Sequence, residues 1–270
     1  AQAQTETAFS EKQVEAALTL RFAYIETGDT ALDRRVRAGL KGLGWELFKR
    51  TAVEPGEPHA VTAGVDALEL YPMIFFAPKR DQDQLSDAAI SALNAYIRSG
   101  GALVIDTRDL SPGSQSGSSL SGILDGLDAP PLAPTPENHV LHRSFYLLDN
   151  FPGRLGAGSL WIDLHDRNSD SRRADGVASL FIGGSDWISA WAIDEQRQFM
   201  FTMDGRERQR ELAYRFGINL VMYILNGNYK EDQVHLPALL ERLGEETPPE
   251  EGERIRTIIP APQSDGDDDD

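Results

Sequence analysis

Gly100-Gly101-Ala102-Leu103-Val104-Ile105-Asp106-Thr107-Arg108-Asp109 is the stretch that decides the fold. A helical pattern ends on the glycine pair. A near-continuous apolar run follows, as expected of a strand covered by helices on both faces. The run passes directly into a charged tip, Asp106 to Asp109. In an open α/β sheet, the carboxyl ends of strands are where ligands and catalytic groups collect.

The pattern upstream supports the same class. Leu18, Leu20, Phe22 and Tyr24 alternate with Thr19, Arg21 and Ala23, which predicts a strand. Thr27-Gly28-Asp29-Thr30 can cap a helix. Leu32, Val36, Leu40, Leu43 and Leu47 then follow at helical spacing, from about Ala31 to Arg50. Gly42 and Gly44 in that helix permit either close packing or an early stop. Pro55 to Val65 reads as a loop and Leu68 to Phe76 as a buried strand ended by Pro78. Ser86 is an N-cap candidate before a helix whose apolar face is Ile90, Leu93, Tyr96 and Ile97, with Leu85 and Ile90 at staple spacing. Gly100 stops that helix. Strand, helix, strand, helix, strand predicts a mainly parallel sheet.

The middle is less regular. Ser111 to Ser121 is a Ser/Gly-rich loop, and His165 to Asp175 reads as a polar projecting loop. Val140 to Leu148 and Ser159 to Leu164 are short strand candidates around Pro152-Gly153. Ala178 to Ile182 returns to strand, and Trp191 to Asp194 with Gln198 to Met203 look like a closing strand pair. Arg208 to Asn226 is a helix, apolar nearly all round past Phe216 and stopped near Gly227; Leu236 to Leu243 is a shorter one. The domain reading is a flexible lead over 1–16, one α/β domain over 17–244 and a disordered acidic tail over 245–270.

Composition narrows the function classes. The 270 residues carry 43 acidic against 26 basic side chains, a net charge of -17. That charge opposes a general nucleic-acid or anionic-lipid binder. From Glu245 to Asp270, ten acidic residues meet only Arg254 and Arg256, among four prolines. Cysteine is absent, which removes disulfides, thiolate metal sites and cysteine nucleophiles. No apolar run approaches the ~18 residues of a membrane span. The start lacks the basic and apolar regions of an intact signal peptide. It fits a mature start after a cleaved signal, or a cut just beyond an anchor.

Three constellations could carry chemistry. Asp106, Arg108 and Asp109 could bind a polar ligand or orient a water, or form an ion pair that pins the next loop. His139 and His142 stand three apart beside Arg143. Their extended context and lack of a third ligand speak against zinc, leaving His142 as a pocket residue, a general base or a surface hydrogen-bonding group. Gly183-Gly184-Ser185-Asp186-Trp187 follows a strand. Ser185 has Gly183 two residues before it but Trp187 two after, a loose match to a nucleophile elbow. Asp186 with Trp187 and Trp191 could line a pocket or interface, or be core aromatics with a capping aspartate. A metal-dependent adhesion-like site could draw on Asp106, Asp109 and Asp186. It lacks the expected Asp-x-Ser-x-Ser run. No dinucleotide fingerprint or phosphate loop is present, so no cofactor is assigned.

Several segments together resemble one family. They are Tyr71 to Pro78, Tyr96 to Asp106, His142 to Leu148 with Phe151 to Arg154, Leu180 to Trp187 with Ala190 to Ala192, and Tyr214 to Leu220 with Asn228-Tyr229. This pattern, spread over about Leu18 to Leu243, is similar to the bacterial domain-of-unknown-function family 4159. The resemblance implies a flavodoxin-like, class I glutamine amidotransferase-like three-layer α/β sandwich. It also implies the C-terminal, envelope-exposed part of an aerotolerance-type membrane protein, on the periplasmic side of the inner membrane, encoded near MoxR-type ATPases and von Willebrand A proteins. Any membrane attachment would then run through a segment absent from this chain. The family supplies no catalytic residues to carry over. Where an amidotransferase would keep its cysteine, this chain offers Thr107 or a neighbour. The family pattern Gly-Gly-Asn-Asp-Trp has Ser185 here in place of asparagine. The resulting expectation is a non-catalytic binding domain with protein partners. The alternative is a hydrolase or carbohydrate-binding relic using Asp106, Arg108, His142 and Asp186 in one cleft.

Overall fold

In a computed structural model of the chain, residues 10–109, 120, 122–128, 131–163 and 178–242 are described, without the side chains of 206 and 227–242. The Ser111–Ser121 loop (Leu120 apart), the His165–Asp175 loop, the 245–270 tail and the end of the last predicted helix lie outside the described residues.

Strand β1 (Ala23–Ile25), β2 (His59–Val61), β3 (Met73–Phe76), β4 (Ala102–Asp106), β5 (Leu132–Pro134), β8 (Trp161–Asp163) and β9 (Leu180–Gly183) form a seven-stranded sheet in the order β2-β1-β3-β4-β9-β8-β5. The first five in that order are parallel; β8 and β5 add an antiparallel edge. Counting only the parallel strands, the order is that of flavodoxin-like sheets. A separate hairpin pairs β6 (Phe151–Gly153) with β7 (Gly156–Gly158).

The layers follow from side-chain alternation. In β4, Ala102 and Val104 join one core with α2 (Thr30–Arg50), α4 (Trp187–Trp191) and the buried part of α5 (Arg206–Arg242). Leu103 and Ile105 join the other core with Leu93, Tyr96 and Ile97 of α3 (Asp87–Arg98). Each face of the sheet is thus covered, which is why β3 and β4 are apolar at nearly every position. By the same alternation Asp106 falls on the face that carries α4.

Local signals place most boundaries. Asp29 accepts from the Ala31 and Leu32 N–H groups at the start of α2, and Ser86 accepts from Ala89 N–H at the start of α3. Gly100 takes φ 98° after α3, and a Cβ on Gly101 would lie 2.1 Å from the Tyr96 ring. Tyr96 itself donates to the Tyr71 carbonyl, at 2.9 Å. Gly42 serves close packing: a Cβ there would lie 1.9 Å from the Trp191 carbonyl oxygen. Helix α2 therefore continues to Arg50 and meets α4 nearly backbone to backbone.

Other expectations are corrected. The predicted Leu18–Tyr24 strand is shorter and later, because Leu18 ends helix α1 (Glu11–Leu18), which a Ser10/Gln13 capping box starts within the stretch read as a lead. The Pro55–Val65 loop contains β2, three residues with no alternation to betray them. Leu68–Leu70 is a 3-10 turn, and the strand begins only at Met73, after Pro72. Val140–Arg143 is also a 3-10 turn rather than a strand, since the His139 ring accepts from Leu141 N–H and the buried Asn219 side chain engages Leu141 and Tyr146. Trp191 belongs to α4. Of the predicted closing pair only the Ile193–Phe199 bridge forms, because the Asp194 carboxylate turns the chain by accepting from Gln196 and Gln198 N–H. Gly227 does not stop its helix, which is assigned Arg206–Arg242. The chain divides after Lys230 into two compact units; in the second, residues 231–242 are helical.

Candidate functional site

Strands β4 and β9 are neighbours, with Asp106 in register with Gly183. Their carboxyl ends hold two of the three non-glycine residues with positive φ among the described residues, Arg108 at 57° and Asp186 at 58°. Such backbone costs on the order of 1 kcal/mol or more and persists only where neighbours enforce it. Asp186 stands in a strand–turn–helix junction, between β9 and α4, so the elbow position belongs to Asp186 and not to Ser185.

Asp106 enforces this geometry. Its Oδ1 accepts from the N–H groups of Arg108 (3.1 Å) and Asp186 (3.2 Å), and its Oδ2 from Ile188 N–H (3.3 Å). One carboxylate thus binds both strand-end turns and the first turn of α4. It is fully buried. Burial first, and then the nearby Asp186 charge, push its pKa up to about 7, against the pull of its backbone donors and Arg108.

Asp186 is 1% exposed and pairs with Arg154, whose Nε lies 2.5 Å from Oδ2. Arg154 comes from the β6–β7 hairpin. That hairpin is tied to the elbow by its backbone: Arg154 N–H donates to the Asp186 carbonyl and Leu155 N–H to the Ser185 carbonyl. Ser185 is fully buried, and its Oγ accepts from Gly158 N–H at 3.0 Å. A Cβ on Gly153 would lie 2.1 Å from the Ser185 carbonyl oxygen, so the glycine lets the hairpin approach. Ser185 is thus a docking point, and no base reaches its hydroxyl among the described residues.

Arg108 donates from Nη2 to the Pro78 carbonyl, at 2.6 Å. Burial lowers its pKa; Asp106 and Asp186 oppose this, and Arg35 and Arg80 add to it. Thr107 Oγ1 donates to Asp109 at 2.6 Å, and Thr107 N–H donates to the Gly183 carbonyl. Trp187 is a core residue: it is fully buried, its ring covers Gly183, and its Nε1 donates to the Phe151 carbonyl at 3.0 Å.

The remaining candidates stand apart. His142 packs on Phe151, ring centroids 4.5 Å apart, and its Nδ1 lies 2.8 Å from the Leu148 carbonyl. Neither an ion pair nor a hydrogen bond links it to Asp106 or Asp186 among the described residues. Arg143 is exposed and donates to the Asn138 carbonyl. The one-cleft arrangement of Asp106, Arg108, His142 and Asp186 is therefore corrected: Asp106, Arg108 and Asp186 meet, His142 does not join them, and the two carboxylates are buried rather than lining an opening. Among the described residues no three His, Asp or Glu side chains are grouped to hold a metal, so the adhesion-like triad is not assembled.

Sequence motifs did not flag Arg154 or an open groove of about 300 Å³ between α2, residues 54–58 and residues 193–197. Trp45 and Phe48, three apart on α2, were its only trace, easily read as core.

The family profile described as a domain of unknown function, DUF4159, matches residues 21–225. The chain belongs to this family. No match is found among curated proteins. The match spans the sheet, the β4–β9 strand ends and the hairpin that locks them, so the knot around Asp106 lies wholly inside the DUF4159 region.

Proposed function

We propose that this DUF4159 chain is a non-catalytic binding domain working in a bacterial cell-envelope assembly. The observation that carries the reading is the use made of Asp106. The side chain best placed for acid–base work at the sheet's ligand edge is fully buried and occupied by three backbone N–H groups. A general acid or base must reach a substrate proton; among the described residues this one reaches the backbone of its own turns and of α4. Family resemblance supports the envelope setting, with MoxR-type ATPases and von Willebrand A proteins as the partner classes to try first.

The test is reconstitution with such candidate partners and capture from envelope fractions in mild detergent, using the full chain as bait. One partner should be retained at a fixed ratio. Consistent absence of any partner would overturn the reading.

A hydrolase relic retains one specific support, the left-handed Asp186 at a strand-to-helix elbow with an Oδ1 that has no partner among the described residues. It predicts turnover in an esterase and glycosidase screen that Asp186→Asn abolishes. Equal activity of parent and variant, or none in either, would remove it.

A further inference from the structure

The groove beside α2 has a different chemistry from the strand ends. Trp45 and Phe48 pair on its wall, ring centroids 6.2 Å apart, and Pro55 and Ile193 add apolar surface. Its rim carries four carboxylates, Glu54, Glu57, Asp194 and Glu195, against two cations, Lys41 and Arg197. Glu54 makes no ion pair among the described residues. Glu57 reaches Lys41 at 3.4 Å and Arg37 at 3.5 Å, and Glu195 reaches Lys41 at 3.5 Å, in exposed pairs of the kind that exchange readily.

Arg197 shows what the aromatic wall accepts. Its guanidinium carbon lies 3.7 Å from the Trp45 ring centroid. Arg197 makes no ion pair among the described residues, and the turn that presents it holds it at φ 61°. Asp194 fixes that turn from below by accepting from Gln196 and Gln198 N–H. A cation held over an indole face beside surplus carboxylates is the arrangement that recognises ammonium or guanidinium groups. The volume, about 300 Å³, stands at the small end of ligand sites and suits one or two side chains rather than a large cofactor.

We propose that this groove binds an arginine- or lysine-bearing peptide segment of a partner protein, with Arg197 as the internal stand-in that the incoming cation displaces. Charge complementarity selects the occupant. The acidic rim and the net charge of -17 attract a basic peptide and repel phosphate-bearing ligands. The inference is independent of the strand-end site: it stands or fails on Trp45, Arg197 and the rim acids alone.

The experiment titrates the full chain with a capped peptide of alternating arginine and proline, followed by calorimetry and tryptophan fluorescence, with the glutamate–proline peptide as control. The arginine peptide is expected to bind, and more weakly at high salt; the control is not. Arg197→Gly keeps the left-handed turn and removes the nearer of the two cations at the indole, Lys49 lying at 5.9 Å from its centroid, so affinity should rise about threefold or more. Trp45→Ala should weaken binding about tenfold, the scale of one lost cation–ring contact. Trp45→Phe checks folding and should retain part of the affinity. Glu54→Gln with Glu57→Gln should weaken binding several-fold and flatten the salt dependence. No binding by the parent chain, equal binding of the control peptide, or unchanged or weaker binding by Arg197→Gly would overturn the proposal.

Discussion

The strand-end knot and the α2 groove are opposite ways of using charge. At the knot, Asp106, Ser185 and Asp186 are all at most 1% exposed, and hydrogen bonds to backbone or to Arg154 hold them in place. At the groove, Glu54, Glu57 and Glu195 are exposed and at most loosely paired. The first arrangement spends polar groups on fixing loops; the second keeps them available to a partner. Charged residues at a sheet's ligand edge are therefore not by themselves an active site. Accessibility decides, and here it divides the two regions.

The sharpest way to break this contrast is Asp106→Ala. It leaves three N–H groups without this acceptor, two of them buried and the Arg108 one part-buried, at about 1–3 kcal/mol for each buried group, so unfolding free energy should fall by about 3–5 kcal/mol. Urea denaturation measures it. A loss under about 1 kcal/mol would mean that the turns hold without the carboxylate. Next in size is Gly42→Ala, which pushes a methyl group to 1.9 Å from the Trp191 carbonyl oxygen. The α2–α4 contact must open, which should cost about 2–3 kcal/mol and loosen the helix that follows Asp186. Thermal unfolding with near-UV dichroism reads both effects. Gly44→Ala is the control, since its Cβ would meet nothing nearer than Pro55 at 3.4 Å.

Much of the knot's framework was legible in the sequence. Gly100-Gly101 marked the end of α3, the continuous run to Ile105 marked a strand with both faces covered, and the charged tip marked its carboxyl end. The left-handed backbone at Arg108 and Asp186 was not: arginine rarely adopts it, aspartate adopts it more readily but in few of its occurrences, and here tertiary contacts impose it at both. Arg154 stood in a segment that carried the family resemblance, but its role was illegible for a related reason. Its partner lies 32 residues away, through a hairpin of three-residue strands whose Phe151-Pro152-Gly153 reads as a turn. The extra length of α5 was missed because Gly227 is a helix-stop signal, and local propensity was overridden. The groove left almost no trace. Its walls come from three separate segments, and none contains a recognisable motif.

The knot should also show itself in the pH dependence of stability. Asp106 sits at about 7 in the fold, against about 3.9 in an unfolded chain. Between those values the folded state holds a proton that the unfolded state has released. Stability contributed by this group is therefore present at low pH and is lost as pH rises through about 7. His59 and His139, lowered chiefly by burial, tilt the other way below about pH 6.5. Glu211, held down to about 2 chiefly by Arg50, loses its contribution as pH falls from its ordinary value of 4.5 toward 2. The informative readout is thus the difference between the parent and Asp186→Asn at pH 5 and pH 8. Removing the Asp186 charge should lower Asp106 toward its ordinary range and flatten the decline by on the order of 1–2 kcal/mol. Identical slopes in the two proteins would show that the carboxylates do not sense one another.

The smallest expected effect tests the other half of the comparison. Glu54→Gln and Glu195→Gln remove rim charges that hold no part of the fold. Glu54 makes no ion pair among the described residues, and Glu195 reaches Lys41 at 3.5 Å with 84% of its side chain exposed. Exposed pairs of this kind contribute about 0–1 kcal/mol, and isolated exposed charges less. The double variant should therefore unfold within about 0.5 kcal/mol of the parent. Urea midpoints at low and moderate salt give the measurement. Any relief of repulsion among acids that line one groove in a strongly acidic chain should show as a slight stabilisation at low salt. A loss above 1 kcal/mol would place the rim acids in the framework alongside Asp106. The distinction between charge that builds and charge that waits would then fail on the groove side.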